Sequence, residues 1–228
     1  MDFFYHIIEL IAALAGTYFY MNTKESKVKI FVWYLWITVF VETFGMYGYI
    51  LQNNYDNALF IWIKNSPICS NTWLYNTYSF VSIILFGKFF IRIINDKWSK
   101  KIIIWSVVLN TLCIIIYFIV SDKFFIISIP YNFLFNTFLI FMFVMLYYRQ
   151  LLKSDDVLFF YKSPIFYISS GLFLWHLCVA PLVIFNGYLF EINQNFIEFR
   201  GFYLFIANTL LYSCYTFGFL YTLQFKKK

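Results

Sequence analysis

Residues 102–120 read IIIWSVVLNTLCIIIYFIV, an unbroken stretch without one charged side chain. An α-helix needs about 20 predominantly apolar residues to cross the hydrocarbon layer of a bilayer. Lys100 and Lys101 stand before this stretch, and Asp122 and Lys123 follow it. A barrel strand would show about 10 residues of alternating polarity instead. Here 102–104 and 113–120 are continuous apolar runs, so the stretch predicts a transmembrane helix.

The same reading extends in both directions. Comparable runs lie at 3–20, 30–51, 73–94, 124–148, 164–190 and 202–225, which makes seven spans. Pro130 is an alternative start for the fifth, and Ser163-Pro164 is suited to open the sixth as a cap followed by proline at the first helical position. Of the 228 residues, 62% are hydrophobic and 12% charged; the mean hydropathy is +0.72. A soluble domain is roughly 45–50% apolar and about 25% charged. The departure from both values excludes a soluble globular domain, a disordered tail and a nucleic-acid binder. The expectation is an all-α polytopic membrane protein, one seven-helix domain over 1–228, with the lipid bilayer as its first partner. Phe 32 and Tyr 20, alongside many Ile, Asn and Lys, are what an AT-rich genome favours, so an aromatic stripe is weak evidence of a site.

Basic residues sort between the connections. Lys24, Lys27, Lys29, Lys88, Arg92, Lys97, Lys100, Lys101, Arg149, Lys153, Lys162 and 226–228 fall on one side, 14 of the 17. Against four acids there (Glu25, Asp96, Asp155, Asp156) that side carries +10. The other holds three bases (Lys64, Lys123, Arg200) against five acids (Asp2, Asp56, Asp122, Glu191, Glu198), a net −2. The positive-inside bias then predicts a cytoplasmic C-terminus and an outer N-terminus. The first span lacks the basic n-region of a removable signal peptide and carries Glu9 within its apolar run.

The one long connection is 52–72, on the outer side. Residues 58–63 are apolar with Trp62 among them, which suggests a short interfacial helix anchored by that tryptophan, or else a lid. Cys69 is the only cysteine in the outer loops, while Cys113, Cys178 and Cys214 fall inside spans. Two histidines without ligand spacing give no metal site; no cofactor is expected.

An ionisable residue at membrane depth costs about 2.5–3.5 kcal/mol on insertion scales and is a site hypothesis by default. Glu9 lies in the outer half of the first span, Glu42 near the middle of the second and His176 past the middle of the sixth. Asn76, Asn132, Asn136 and Asn208 join them, at 1.5 Å rise per residue, in the outer half or the middle of the bilayer. Their shared depth predicts that Glu42, Asn76, Asn136, His176 and Asn208, with Glu9 nearer the interface, form an outward polar cavity. That cavity would be closed on the cytoplasmic side by the apolar halves of spans four and five. The competing reading is that each polar group bonds a neighbouring helix and holds the bundle together. Three Asn-Thr pairs, at 76–77, 136–137 and 208–209, fit a parallel repeat, although Asn110-Thr111 interrupts the pattern. Pro181 follows His176 and leaves the Leu177 carbonyl without its helical donor.

The last span has no lysine for a retinal linkage, and no zinc-hydrolase, Walker or kinase pattern occurs. Ser169-Ser170-Gly171 is only a faint elbow, with His176 on the same helix. No catalytic motif is present.

Tyr75-Asn76-Thr77-Tyr78-Ser79, Glu42 with Gly45, and 164–171 (PIFYISSG) resemble the pattern of a group of small bacterial seven-helix inner-membrane proteins. The resemblance implies the fold and supplies no chemistry. The functional expectation is a sensor that binds a small or lipidic ligand from outside and signals through a separate membrane or cytoplasmic protein partner. The alternatives are a proton-coupled transporter using Glu42 or His176, an accessory subunit of a larger complex, and an intramembrane enzyme.

Overall fold

A computed structural model describes residues 2–52, 58–126, 130–192 and 196–226. Asp56, Lys227 and Lys228, counted above, lie outside them. Among the described residues the ordered elements are helical: α1 (Asp2–Thr23), α2 (Ser26–Gly45), α3 (Tyr47–Gln52), α4 (Ala58–Lys64), α5 (Thr72–Ile93), α6 (Lys97–Ser121), α7 (Pro130–Leu152), α8 (Pro164–Ile192) and α9 (Phe196–Leu223), with short 3₁₀ turns at Pro67–Cys69 and Asp155–Lys162. Six contain stretches long and apolar enough to cross a membrane: Ser26–Gly45, Thr72–Ile93, Lys97–Ser121, Asn132–Leu152, Pro164–Phe185 and Glu198–Leu223. That is the make-up of an integral, multi-pass membrane protein. Helix α1 has the length to cross, at 22 residues, but is not among the six.

One expected boundary is corrected, and one start that the sequence left open is resolved. The second run does not continue to Leu51. It ends at Gly45, and α3 restarts at Tyr47. The Asn71 side chain donates to the Gly45 carbonyl at 3.2 Å, and the Met46 N–H turns back to the Thr43 carbonyl at 3.3 Å. The fifth long run takes the second of its two starts, with α7 described from Pro130 and not Phe124. Before it, Asp122 ends α6 in the left-handed conformation (φ 51°) and a turn follows. Proline at a first helical position loses no hydrogen bond and has its φ preset. Helix α8 runs through Pro181 without interruption.

Helix α6 lies outermost, packed against α5 and α7. Its Trp105, Leu109, Leu112, Ile116 and Ile119 are exposed, at helical spacing, as a face turned to lipid requires. The bundle is centred on α1, α2, α5, α7, α8 and α9. Phe31, Phe89, Phe90, Phe143, Tyr215 and Phe219 are fully buried. Phe31 packs edge-on against Tyr215 with ring centres 4.9 Å apart, a preferred aromatic geometry.

The two ends differ in chemistry. At one, Lys226 pairs with Glu25, Arg92 donates to the Ser26 carbonyl at 3.2 Å, and Gln150 accepts from Asn95 N–H at 2.6 Å and donates to Ile93 O at 3.3 Å. These contacts gather the connections at 24–25 and 94–96 with the end of α7 and Lys226 at the basic end. At the other, the Tyr47 hydroxyl reaches the carbonyls of Ile68 and Ser70 at 2.9 and 2.7 Å, and Ser70 Oγ donates to Phe125 O at 3.2 Å.

Candidate functional site

A cavity of about 280 Å³ lies inside the bundle, in the half away from the basic end. All six residues singled out above line it: Glu9 from α1, Glu42 from α2, Asn76 from α5, Asn136 from α7, His176 from α8 and Asn208 from α9. Asn132 lines it as well. Glu9, Asn76, Asn132, Asn136 and His176 are buried, whereas Glu42 and Asn208 are half-buried.

Helix geometry brings them together. On α2, Tyr34, Thr38 and Glu42 are spaced by four, so they stack on one face. On α5 the face is Tyr75, Asn76, Ser79, Ser82, Ile83 and Phe86. On α7, Asn132, Asn136 and Ile140 repeat the four-residue step.

Most polar groups are tied across helices. Tyr75 Oη donates to Glu42 Oε2 at 3.1 Å. Ser79 Oγ accepts from Asn132 Nδ2 and from Asn136 Nδ2, each at 3.0 Å. Asn136 Oδ1 accepts from Asn110 Nδ2 at 2.9 Å, which binds α6 to the cluster from outside. Trp175 Nε1 donates to Asn208 Oδ1 at 2.7 Å. His176 Nδ1 shares a 3.0 Å hydrogen bond with Thr137 Oγ1. Thr38 Oγ1 and Tyr78 Oη are 2.8 Å apart, and Tyr78 donates onward to Tyr34 Oη at 3.1 Å. Asn76 Nδ2 donates to the Phe124 carbonyl at 2.8 Å, fastening the turn after α6 to the site.

Three lining atoms are buried without a hydrogen-bond partner: Glu9 Oε2, Asn132 Oδ1 and Ser82 Oγ. His6 Nδ1 stands 3.9 Å from Glu9 Oε2, beyond hydrogen-bond reach, and is itself unpaired. Such groups are costly in a dry interior, by about 1–3 kcal/mol each. They ask for a partner within the space they face.

Toward the basic end the floor is Ile83, Phe86, Ile140, Leu172 and Leu211. Beneath it sits the aromatic core of Phe31, Phe89, Phe90 and Phe143. The closing residues therefore come from α5, α7, α8 and α9. The expectation that the fourth span helps close the cavity is corrected, because no residue of α6 lines it. Helix α4 forms where a short helix was expected, with Trp62 exposed, but no residue of 58–71 lines the cavity. The lid reading has no contact behind it.

Tyr34, Thr38, Trp175 and Tyr212 also line the cavity and were not singled out in the sequence, and Tyr75, Tyr78 and Ser79, quoted there only for the resemblance, line it too. For Tyr34, Thr38 and Tyr212 the signal was the four-residue spacing with Glu42 and Asn208, hidden by the abundance of Tyr. The serine–histidine pair does not assemble. His176 is engaged by Thr137, Ser170 Oγ lies 2.7 Å from Tyr148 Oη, and Ser169 Oγ is buried without a partner. Among the described residues no group of three His, Cys, Asp or Glu is placed to hold a metal ion. Comparison of the chain with family models, with curated proteins and with solved structures returned no match.

Proposed function

We propose that this chain is a seven-span bacterial inner-membrane protein, with α1 as the seventh span, that binds a small ligand in the cavity from the outer side and passes its state to a separate partner. The observation that carries the reading is the convergence of six sparse polar residues, one from each of six helices, on one cavity of about 280 Å³. Polar groups serving only as helix–helix links need not share a space, nor leave Glu9 Oε2 and Asn132 Oδ1 unpaired beside it. The +10 against −2 division of loop charge supports a cytoplasmic basic end. That orientation turns the cavity half outward.

Sensing is favoured over transport by the floor. A transporter needs a path to both faces, and the basic-end half is filled by fully buried Phe31, Phe89, Phe90, Phe143 and Phe219. The test is native mass spectrometry of the full chain released from membranes. Wild type is expected to carry a small non-lipid adduct that Ser79→Trp, which fills the cavity, has lost. An adduct equally present on Ser79→Trp, or none on wild type, would contradict the reading.

A further inference from the structure

We propose that the cavity takes a small organic ammonium ion, held between the carboxylates of Glu9 and Glu42 and walled by aromatic rings. This deepens the reading of the cavity as a ligand site and rests on it.

The hydrogen-bond inventory sets the chemistry. Several donors around the cavity are engaged by protein acceptors. Tyr75 donates to Glu42, Trp175 to Asn208, and Asn132 and Asn136 each donate to Ser79. What remains unpaired is dominated by acceptors, a carboxylate oxygen of Glu9 and the amide oxygen of Asn132, with the Ser82 hydroxyl beside them. Glu9 is 4% exposed and Asn132 7%, so these atoms have no bulk water to turn to. A ligand that satisfies them must bring N–H or O–H donors.

Charge narrows the class. Two carboxylates from different helices share the cavity, and no Lys or Arg is among its described lining residues. Two acids at membrane depth are costly to retain, and a bound cation offsets that cost. An anionic ligand meets two acids and, among the described lining residues, no lysine or arginine. The walls point the same way. Tyr34, Tyr78, Phe86, Phe133 and Trp175 line the space, and aromatic faces attract ammonium ions. Size bounds the ligand. A cavity of about 150 Å³ holds benzene, so this one suits roughly ten non-hydrogen atoms.

The experiment is isothermal titration of the full chain in nanodiscs with three shape-matched probes: 2-phenylethylammonium, 2-phenylethanol and 3-phenylpropionate. The ammonium is expected to bind roughly tenfold or more tighter than the alcohol, as a charge-assisted hydrogen bond allows, and the carboxylate not to bind. Glu9→Gln and Glu42→Gln should each weaken the ammonium roughly tenfold. Asp156→Asn, at the basic end, should leave it unchanged. If Glu9→Gln does not fold, Glu42→Gln with the alcohol comparison carries the test. Equal binding of alcohol and ammonium, or ammonium binding indifferent to both glutamine variants, overturns the cation proposal while the ligand cavity stands. Binding by none of the three overturns it too, and the adduct measurement on Ser79→Trp then judges the cavity separately.

Discussion

Asn136→Ala is the perturbation whose cost the structure specifies most fully. The side chain is 8% exposed and makes two interhelical bonds, accepting from Asn110 at 2.9 Å and donating to Ser79 at 3.0 Å. Interhelical hydrogen bonds inside membrane bundles average about 0.6 kcal/mol and reach about 1.7 in double-mutant cycles. Truncation also strands the Asn110 amide, itself 7% exposed, and a buried unpaired group costs about 1–3 kcal/mol. The single variant should therefore lose about 2–3 kcal/mol. Asn110→Ala in the same chain removes the stranded group, so the double variant should be less destabilised than the two singles added together, by about 1 kcal/mol. The assay is reversible unfolding of the purified protein in mixed micelles by a denaturing detergent. Additive losses within about 0.3 kcal/mol would refute the reasoning, because contacting residues must couple.

Gly218→Ala places a methyl carbon 2.6 Å from Tyr167 Cβ, where α8 and α9 meet, and should cost about 1–3 kcal/mol by overpacking; Gly201→Ala, with nothing within 4 Å, should leave the melting temperature unchanged or raised. A methyl on Gly45 would stand 3.0 Å from Tyr75 Oη, so Gly45→Ala and Tyr75→Phe should shift the infrared carboxyl band of Glu42 alike, identified by its loss in Glu42→Gln. Asp96 caps α6, accepting from Ser99 Oγ at 2.6 Å and Ser99 N–H at 2.9 Å; the Ser99 hydroxyl first, then its backbone N–H, hold the carboxyl below its usual range. A depressed carboxyl contributes its stability above the unfolded value of about 3.9 and loses it as pH falls through the lower folded value. The melting temperature of wild type should thus drop toward that of Asp96→Asn only below about pH 4, and a gap between the two that persists unchanged at pH 2 would refute the cap assignment.

Hydropathy made the long helices legible because a span is a composition signal, independent of what packs on it. The break at Gly45 was not legible in hydropathy, and the Asn71 side chain that meets the Gly45 carbonyl there lies 26 residues away in sequence. The start of α7 could be read only as a choice between Phe124 and Pro130. Depth along each helix was readable from residue counting, and it selected the six residues that the structure brings to one cavity. Which face each residue occupies was not readable for Asn110. Its side chain bonds Asn136 across the α6–α7 contact, a pairing that position along one helix does not reveal. Tyr78 and Tyr34 were passed over for a compositional reason. In a chain with 20 tyrosines, a cavity tyrosine and a packing tyrosine look alike until the hydroxyl partners are known.

The cavity and its sidedness meet in one measurement. With Cys69, Cys113, Cys178 and Cys214 replaced, Ser79→Cys places a thiol on the cavity wall. Asp122→Cys and Asp155→Cys serve as references for the two ends. A small membrane-impermeant methanethiosulfonate is applied to intact cells and to inverted vesicles. The account predicts that Ser79→Cys and Asp122→Cys react in intact cells, and that Asp155→Cys reacts in inverted vesicles only. Labelling of Ser79→Cys from the basic face, or of Asp122→Cys and Asp155→Cys from the same face, would contradict it.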